Sequence, residues 1–252
     1  MLVILHACDD MVAVAKPSGM VVHRGWAEDD DVLLDRVRAR FGPSTSPAHR
    51  LDRGTSGVIV FARSSEVARL LQEALESGTA RKTYVALVRG APPETARVDR
   101  ALPRREDGPR VPAVTNVECL ETVTLPDSAL RESRYSFVAA HPETGRLHQV
   151  RRHLKSLGHP VIGDANYGRS EHNRLLAERV GLDRLALHAL RLSLVHPRTG
   201  EPVAWYAPLP DDLARPLAAL GFDVEGTVAR ALGLALRQPK ISHDLELLDG
   251  NT

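Results

Sequence analysis

Residues 48–62 read Ala-His-Arg-Leu-Asp-Arg-Gly-Thr-Ser-Gly-Val-Ile-Val-Phe-Ala. Val58–Phe61 is an unbroken apolar run of β-branched and aromatic residues, and it reads as a buried strand. Ahead of it stands a Gly-Thr-Ser-Gly turn, and ahead of the turn Asp52 sits between Arg50 and Arg53. A carboxylate beside arginines keeps its charged form. That suits a carboxylate nucleophile and an ion-paired structural Asp equally well. Gly54–Val58 nearly spells the G-x-S-x-G turn of hydrolases, but Val58 stands where the last glycine belongs, and no histidine is singled out as its partner.

Outward from this stretch, Leu2–Cys8 and Met11–Ala15 read as two short strands around Asp9-Asp10, and Lys16-Pro17-Ser18-Gly19 is a turn by composition. Asp31, at the end of the acidic run from Glu28, is placed to cap a helix over Val32–Arg40. Ser64 or Ser65 caps the next helix, whose apolar face is Val67, Leu70, Leu71, Ala74 and Leu75, and Gly78 ends it. Thr83–Val88 and Tyr135–Ala140 are strands, with a Pro- and Arg-rich loop over Pro92–Pro112 between them. His148–Leu157 reads as a helix closed by Gly158. Leu187–Val195 and Val203–Tyr206 are strands joined by the Pro197–Gly200 turn. Strands and helices follow without a regular βαβ rhythm, which predicts an α+β fold with a mixed, mostly antiparallel sheet. The pattern weakens beyond residue 220. Residues 1–222 are expected to form the main domain, and 223–252 an extension with a helix over Val228–Leu236 and a frayed last ten residues.

The 252 residues are 43% hydrophobic and 26% charged, which excludes wholesale disorder. No run approaches the roughly 20 apolar residues of a membrane span. The start lacks the basic segment and long apolar stretch of a secretory signal. A cytoplasmic chain with no membrane partner is expected. Cys8 and Cys119 are the only cysteines and form no Cys-x-x-Cys, so they read as small buried hydrophobes. His148, His153 and His159 invite a metal reading. The five-residue spacing of the first two is not that of a helical zinc pair, and no H-E-x-x-H occurs, so no metal is expected.

The net charge of +1 hides a division. Residues 41–110 hold twelve basic and eight acidic side chains, and residues 141–200 hold ten and five. The remainder is acidic, and residues 201–252 alone have four basic against eight acidic. A surface built from the two basic blocks is suited to phosphates, with residues 201–252 away from them. Solvated arginine faces would give the same count.

Four ordered segments resemble those of the RluA-type pseudouridine synthases. They are AVAKPSGMVVHRG (13–25), HRLDRGTSGVIVFARS (49–64), RKTYVALVRG (81–90) and GRLHQVRRHLKSLGHPVIGDANYG (145–168). The resemblance covers about residues 1–220. Within the family the chain is most similar to the subgroup that modifies the uridine at tRNA position 65. The resemblance implies the pseudouridine synthase α+β fold with a central cleft, an isomerase acting on RNA, and no metal or cofactor. It also implies Asp52 as the carboxylate of the reaction, Arg151 as its ion-pair partner, and Tyr84 as the ring that packs on uracil and takes the C5 proton. Arg50 corresponds to a residue that fills the stack vacated by the flipped base. Arg53, Lys82 and Arg152 are phosphate contacts by charge alone. The expected partner is RNA, in particular tRNA, and the expected state a monomer. A ribosomal RNA enzyme of the same family, a non-catalytic RNA-binding or chaperone protein on the fold, and a metal hydrolase stay open as alternatives.

Overall fold

The computed structural model describes residues 2–24, 30–103, 108–126, 130 and 133–234. Its strands and helices, in chain order, are β1 (Val3–Ala7), β2 (Met11–Lys16), α1 (Leu33–Phe41), β3 (Ser46–Pro47), β4 (Ser56–Ala62), α2 (Ser65–Glu76), β5 (Arg81–Arg89), β6 (Thr95–Asp99), β7 (Leu102–Pro103), β8 (Arg110–Val111), β9 (Val114–Thr124), β10 (Arg134–Pro142), α3 (Gln149–Ser156), α4 (Ser170–Val180), β11 (Leu187–Val195), β12 (Pro202–Tyr206), α5 (Asp211–Ala219) and α6 (Val224–Ala231). Among the described residues, one mixed sheet runs β1-β2-β4-β11-β5-β10-β9-β6, with β3 on β4 and β12 on β11, and β7–β8 is a separate hairpin. The fold is α+β, and β4–β11 is the one parallel pairing among the described strands.

That parallel pairing is the hinge of the architecture. Strand β11 changes neighbours along one edge. His188 and Ala189 lie beside Ser56 and Gly57 of β4, and Arg191–Val195 then pair antiparallel with β12. Each side of the junction has its own core. Strands β2 and β4 pack with Leu33 and Val37 of α1 and Val67 and Leu71 of α2. Strands β5, β9 and β10 pack with residues of α3, α4, α5 and α6. Tyr84 on β5 touches both cores.

The junction needs Gly57, whose φ is +120°, and a Cβ there would lie 2.2 Å from the Ala189 carbonyl oxygen. Ser56 beside it is part of a buried polar chain. His188 Nε2 lies 2.9 Å from the Ala207 carbonyl, which only accepts, so Nε2 carries the hydrogen. Nδ1 therefore accepts from Ser56 Oγ at 2.8 Å, and Oγ accepts from Arg184 Nη2 at 2.7 Å. Burial pushes the His188 pKa down to about 4, so the ring is neutral at pH 7.

Several local expectations are corrected. Asp31 does not cap α1. The cap position is Val32, and Asp31 pairs with Arg36 instead. Ser64 does cap α2, its Oγ accepting from the Val67 amide at 3.2 Å. The expected loop over Pro92–Pro112 contains β6, β7 and β8, because the long strand β9 offers β6 a partner along Thr95–Asp99. Strand β9 and helices α4 and α5 were not read from the sequence. The C-terminal helix begins at Val224 rather than Val228, since the Asp223 side chain accepts from the Gly226 amide at 3.0 Å and starts it there. Its Val228 and Ala231 join the β9–β10 core. Cys8 and Cys119 are half-buried free thiols, not core residues. Glu28 and Asp29 of the acidic run, residues 235–236 of the expected C-terminal helix, and the last ten residues lie outside the described residues.

His188 predicts an acid sensitivity. Its folded pKa, about 4, lies below the ordinary 6.5, so the unfolded chain binds the proton that the folded chain refuses. The stabilisation is complete above pH 6.5 and is lost as pH falls from 6.5 toward 4. Its size is about 3 kcal/mol. Urea unfolding at pH 7 and pH 4.5 should show the loss. His188→Gln should remove this part of the slope.

Candidate active site

Asp52 sits on the loop that feeds β4, and that loop is clamped from below by the Lys16–Gly19 turn. Lys16, only 1% exposed, donates from Nζ to the carbonyls of Pro17 (2.9 Å), Met20 (2.6 Å) and Arg53 (3.0 Å). All three ammonium hydrogens are thereby used. The Gly19 amide also donates to the Arg53 carbonyl, and Ser18 Oγ donates to that of Gly54 at 2.8 Å. Burial, then the nearby Arg184 charge, pushes the Lys16 pKa down to about 7.

Arg151 comes to Asp52 from α3. Its Nε and Nη2 donate to the two oxygens of Asp164 at 2.7 and 2.8 Å, and its Nη1 donates to Asp52 Oδ2 at 2.9 Å. The Asp164 side chain is fully buried, and its Oδ1 also accepts from the amides of Asn166 and Tyr167, each at 3.0 Å. Burial opposes the charge on Arg151. The bonds and attraction of Asp164, and then of Asp52, more than offset it and hold the guanidinium above its ordinary pKa. Burial likewise raises the Asp164 carboxyl, but Arg151 and the two amides bring it below the usual carboxylate range.

A cavity of about 520 Å³ opens on one side of Asp52, and its walls include Arg50, Lys82, Tyr84, His148 and Arg151. A second cavity, of about 490 Å³, shares Arg50, Asp52, His148 and Arg151 and adds Arg53 and Asp164. Burial and then the Asp52 charge push the Tyr84 hydroxyl well above its ordinary pKa, so the phenol is neutral at pH 7. Burial lowers the pKa of Lys82. Five of the seven residues singled out in the sequence, Asp52, Tyr84, Arg151, Arg50 and Lys82, thus line one cavity. Arg53 lines its neighbour. Arg152 lines neither, and its Nε donates to the Tyr167 hydroxyl at 2.8 Å.

Three site residues were missed. Asp164 anchors Arg151, while His148 faces Asp52 and holds Tyr167. The signal for Asp164 was present in Gly163-Asp-Ala-Asn-Tyr-Gly168, a turn whose Asp side chain folds back on its own amides. The other two histidines of the stretch are structural. His153 bonds Thr115 Oγ1 and the Arg100 carbonyl, and His159 bonds the Arg89 carbonyl. Helix α3 starts at Gln149, one residue later than expected, because His148 has left-handed backbone angles. Among the described residues, no group of three or more His, Cys, Asp or Glu side chains is placed to hold a metal ion.

Chemically, this is a carboxylate that lines both cavities, with one oxygen fixed by a guanidinium and the other 3.8 Å from His148 Nε2. A neutral aromatic ring and several cations complete the walls. Such a site accepts an anionic ligand carrying a flat ring and presents the carboxylate to it as nucleophile or base.

Comparison with known proteins agrees with that chemistry. The family model described as RNA pseudouridylate synthase matches residues 10–156. The chain is 41% identical over 236 residues to the tRNA pseudouridine synthase C of Salmonella typhimurium, covering 88% of this chain and 91% of that one. It is 38% identical over 237 residues to the tRNA pseudouridine synthase C of Haemophilus influenzae, covering 88% and 99%. Among solved structures, human RNA Pseudouridylate Synthase Domain Containing 4 superposes with a TM-score of 0.67 at 27% identity, covering 86% of this chain and 92% of that one.

The geometry separates the two carboxylates by stability. Asp164→Asn leaves a buried guanidinium short of its main partner and should destabilise the fold by about 3 kcal/mol or more. Asp52 is 20% exposed, so water replaces part of what is lost, and Asp52→Asn should change stability by less than about 1 kcal/mol. Chemical denaturation of the two variants checks the order.

Proposed function

The chain belongs to the RNA pseudouridylate synthase family, and on that premise we propose that it isomerises one uridine of tRNA, at position 65, to pseudouridine. The observation that carries the reading is the Arg151-held Asp52 carboxylate in one cavity with Tyr84. Relatives that bear the name tRNA pseudouridine synthase C, at 38–41% identity, support the choice of tRNA.

The reaction breaks the C1′–N1 bond, turns the uracil and joins C1′ to C5. The hydrogen at C5 leaves and N1 gains one, so no oxidant or reductant enters. Asp52 supplies the carboxylate, by attack at C1′ or by removing a ribose proton. Arg151 binds Oδ2 of that carboxylate and so fixes which oxygen is available. Tyr84 packs on the uracil. Because its hydroxyl is neutral, it takes the C5 proton only while handing its own proton on.

A base stacked in a helix has to flip out to reach Asp52, at a cost of a few kcal/mol. The exposed Arg50, beside the cavity mouth, offers a flat guanidinium to the vacated stack. Arg53, Lys82 and Arg152 contribute positive charge for the phosphates around the flipped nucleotide. The enzyme acts on its RNA as a monomer in the cytoplasm. Among the described residues, no helix is long and apolar enough to cross a membrane.

Incubating the protein with unmodified tRNA and ribosomal RNA transcripts and mapping pseudouridine tests the assignment. Pseudouridine at tRNA position 65 is expected. Its formation only in ribosomal RNA would overturn the tRNA reading, and none in either would overturn the activity. Tyr84→Phe should lower kcat about 10²-fold or more with tRNA binding within threefold of wild type. Wild-type turnover would remove Tyr84 from the chemistry.

A further inference from the structure

Among the described residues, His148 is the only one other than glycine with a positive φ (φ 53°, ψ 30°). For an L side chain this conformation is unfavourable by about 1–2 kcal/mol. It persists where the surroundings enforce it. Here it turns the imidazole into the space between Asp52 and Tyr167. His148 Nδ1 lies 3.0 Å from the Tyr167 hydroxyl, and Nε2 lies 3.8 Å from Asp52 Oδ1.

The donors favour one tautomer. Arg152 Nε donates to the Tyr167 oxygen at 2.8 Å. The phenol has a single hydrogen, and giving it to His148 Nδ1 satisfies both groups and places the ring's own hydrogen, rather than a lone pair, toward the Asp52 carboxylate. The neutral ring therefore carries its own hydrogen on Nε2, the nitrogen facing Asp52. Asp52 Oδ2 is occupied by Arg151 Nη1. Oδ1 is the oxygen left for chemistry, and it faces His148 Nε2. At 3.8 Å the contact is longer than a hydrogen bond, and such contacts tighten when substrate closes the site.

The phenol itself is braced. The charged ends of Arg151, Arg152 and Lys155 lie 5.0, 5.5 and 5.5 Å from the centre of its ring. Among the described residues no carboxylate pairs with Arg152 or Lys155, so their charge stays at the Tyr167 ring.

We infer that His148, with its tautomer set by Tyr167 and Arg152, is a positioning residue that holds Oδ1 of Asp52 toward the bound uridine. This rests on the isomerase reading above. Neutrality is part of the role, because an imidazolium would need a hydrogen on Nδ1, where the Tyr167 hydrogen already points. The groups that face the ring are Asp52, Asp164, Arg151, Arg152 and Tyr167. Burial opposes a charge on it, Arg151 and Arg152 oppose it too, and Asp52 and Asp164 only partly offset them, so the pKa lies below the ordinary value.

The test is steady-state kinetics on tRNA from pH 5 to 9 for wild type, His148→Asn, Tyr167→Phe and the double variant. Asn tolerates left-handed angles but cannot reach Asp52. Phe keeps the ring beneath the three cations and removes only the hydroxyl. His148→Asn should lower kcat about 10²-fold with KM within threefold. Tyr167→Phe should lower kcat about tenfold and move the acid limb of the profile to higher pH, since Nδ1 is then free to take a proton. The double variant should be no slower than His148→Asn, as expected for groups acting as one unit.

A wild-type kcat in His148→Asn, a change confined to KM, or losses that multiply in the double variant would each overturn the inference. If His148→Asn does not fold, the pH profile of Tyr167→Phe decides, and an unmoved acid limb overturns it. Absence of turnover by the wild type is a different result, and it would count against the isomerase reading itself.

Discussion

One guanidinium organises the site. Arg151 is planar, and two of its nitrogens are spent on the two oxygens of Asp164. That bidentate grip sets the plane of the fork, and the remaining nitrogen then points at Asp52 Oδ2. A lysine in the same place would carry the charge but could not fix a direction. Burying three charged groups is expensive in desolvation, so the cluster is poor evidence of stability. Its effect is on geometry, because it engages one defined oxygen of the Asp52 carboxylate and leaves the other without a bond to the guanidinium. Everything else that holds Asp52 serves the same end. The Lys16 clamp fixes the loop beneath it, and the parallel register of β4 on β11 fixes where that loop ends.

Those features differ in how visibly the sequence announced them. Residues 48–62 were legible because a turn signal and a fully apolar strand adjoin, and the strand is buried along its whole length, Ser56–Ala62. Strands β5, β10 and β11 and helix α2 were legible for the same reason, their patterns being set by burial. Strand β9 was not, since Thr115, Asn116, Glu118 and Glu121 interrupt its apolar residues. Its partners β6 and β10, not its own composition, make it a strand. Helix α4 has only two fully buried positions, His172 and Leu176, so it shows little amphipathic signal.

The site shows the same division. The resemblance singled out Asp52, Tyr84 and Arg151, and the structure brings them to one cavity from a loop, a strand and a helix. Asp164 and His148 were passed over for a physical reason. The turn around Asp164 is visible locally, but its contact with Arg151, thirteen residues away, is recorded by no local pattern. The role of His148 depends on a backbone conformation, and nothing in its neighbours' identities demands φ 53°. The near-neutral charge sum is explained in the same way. Arg50, Arg53, Lys82 and Arg151 of the basic blocks line the cavities beside Asp52, while an acidic residue of the C-terminal part, Asp212, is spent on Arg184 at 2.7 Å.

In the proposed function the Asp52 carboxylate, aimed by Arg151, drives exchange of the N1 and C5 positions of a uridine. Joining C1′ to C5 expels the hydrogen at C5, so tritium release from tRNA labelled at uridine C5 reads the reaction directly. Release should plateau at one tritium per tRNA with the wild type and be absent with Asp52→Asn, although that variant still binds the tRNA. Release by Asp52→Asn at the wild-type rate would contradict this role of Asp52.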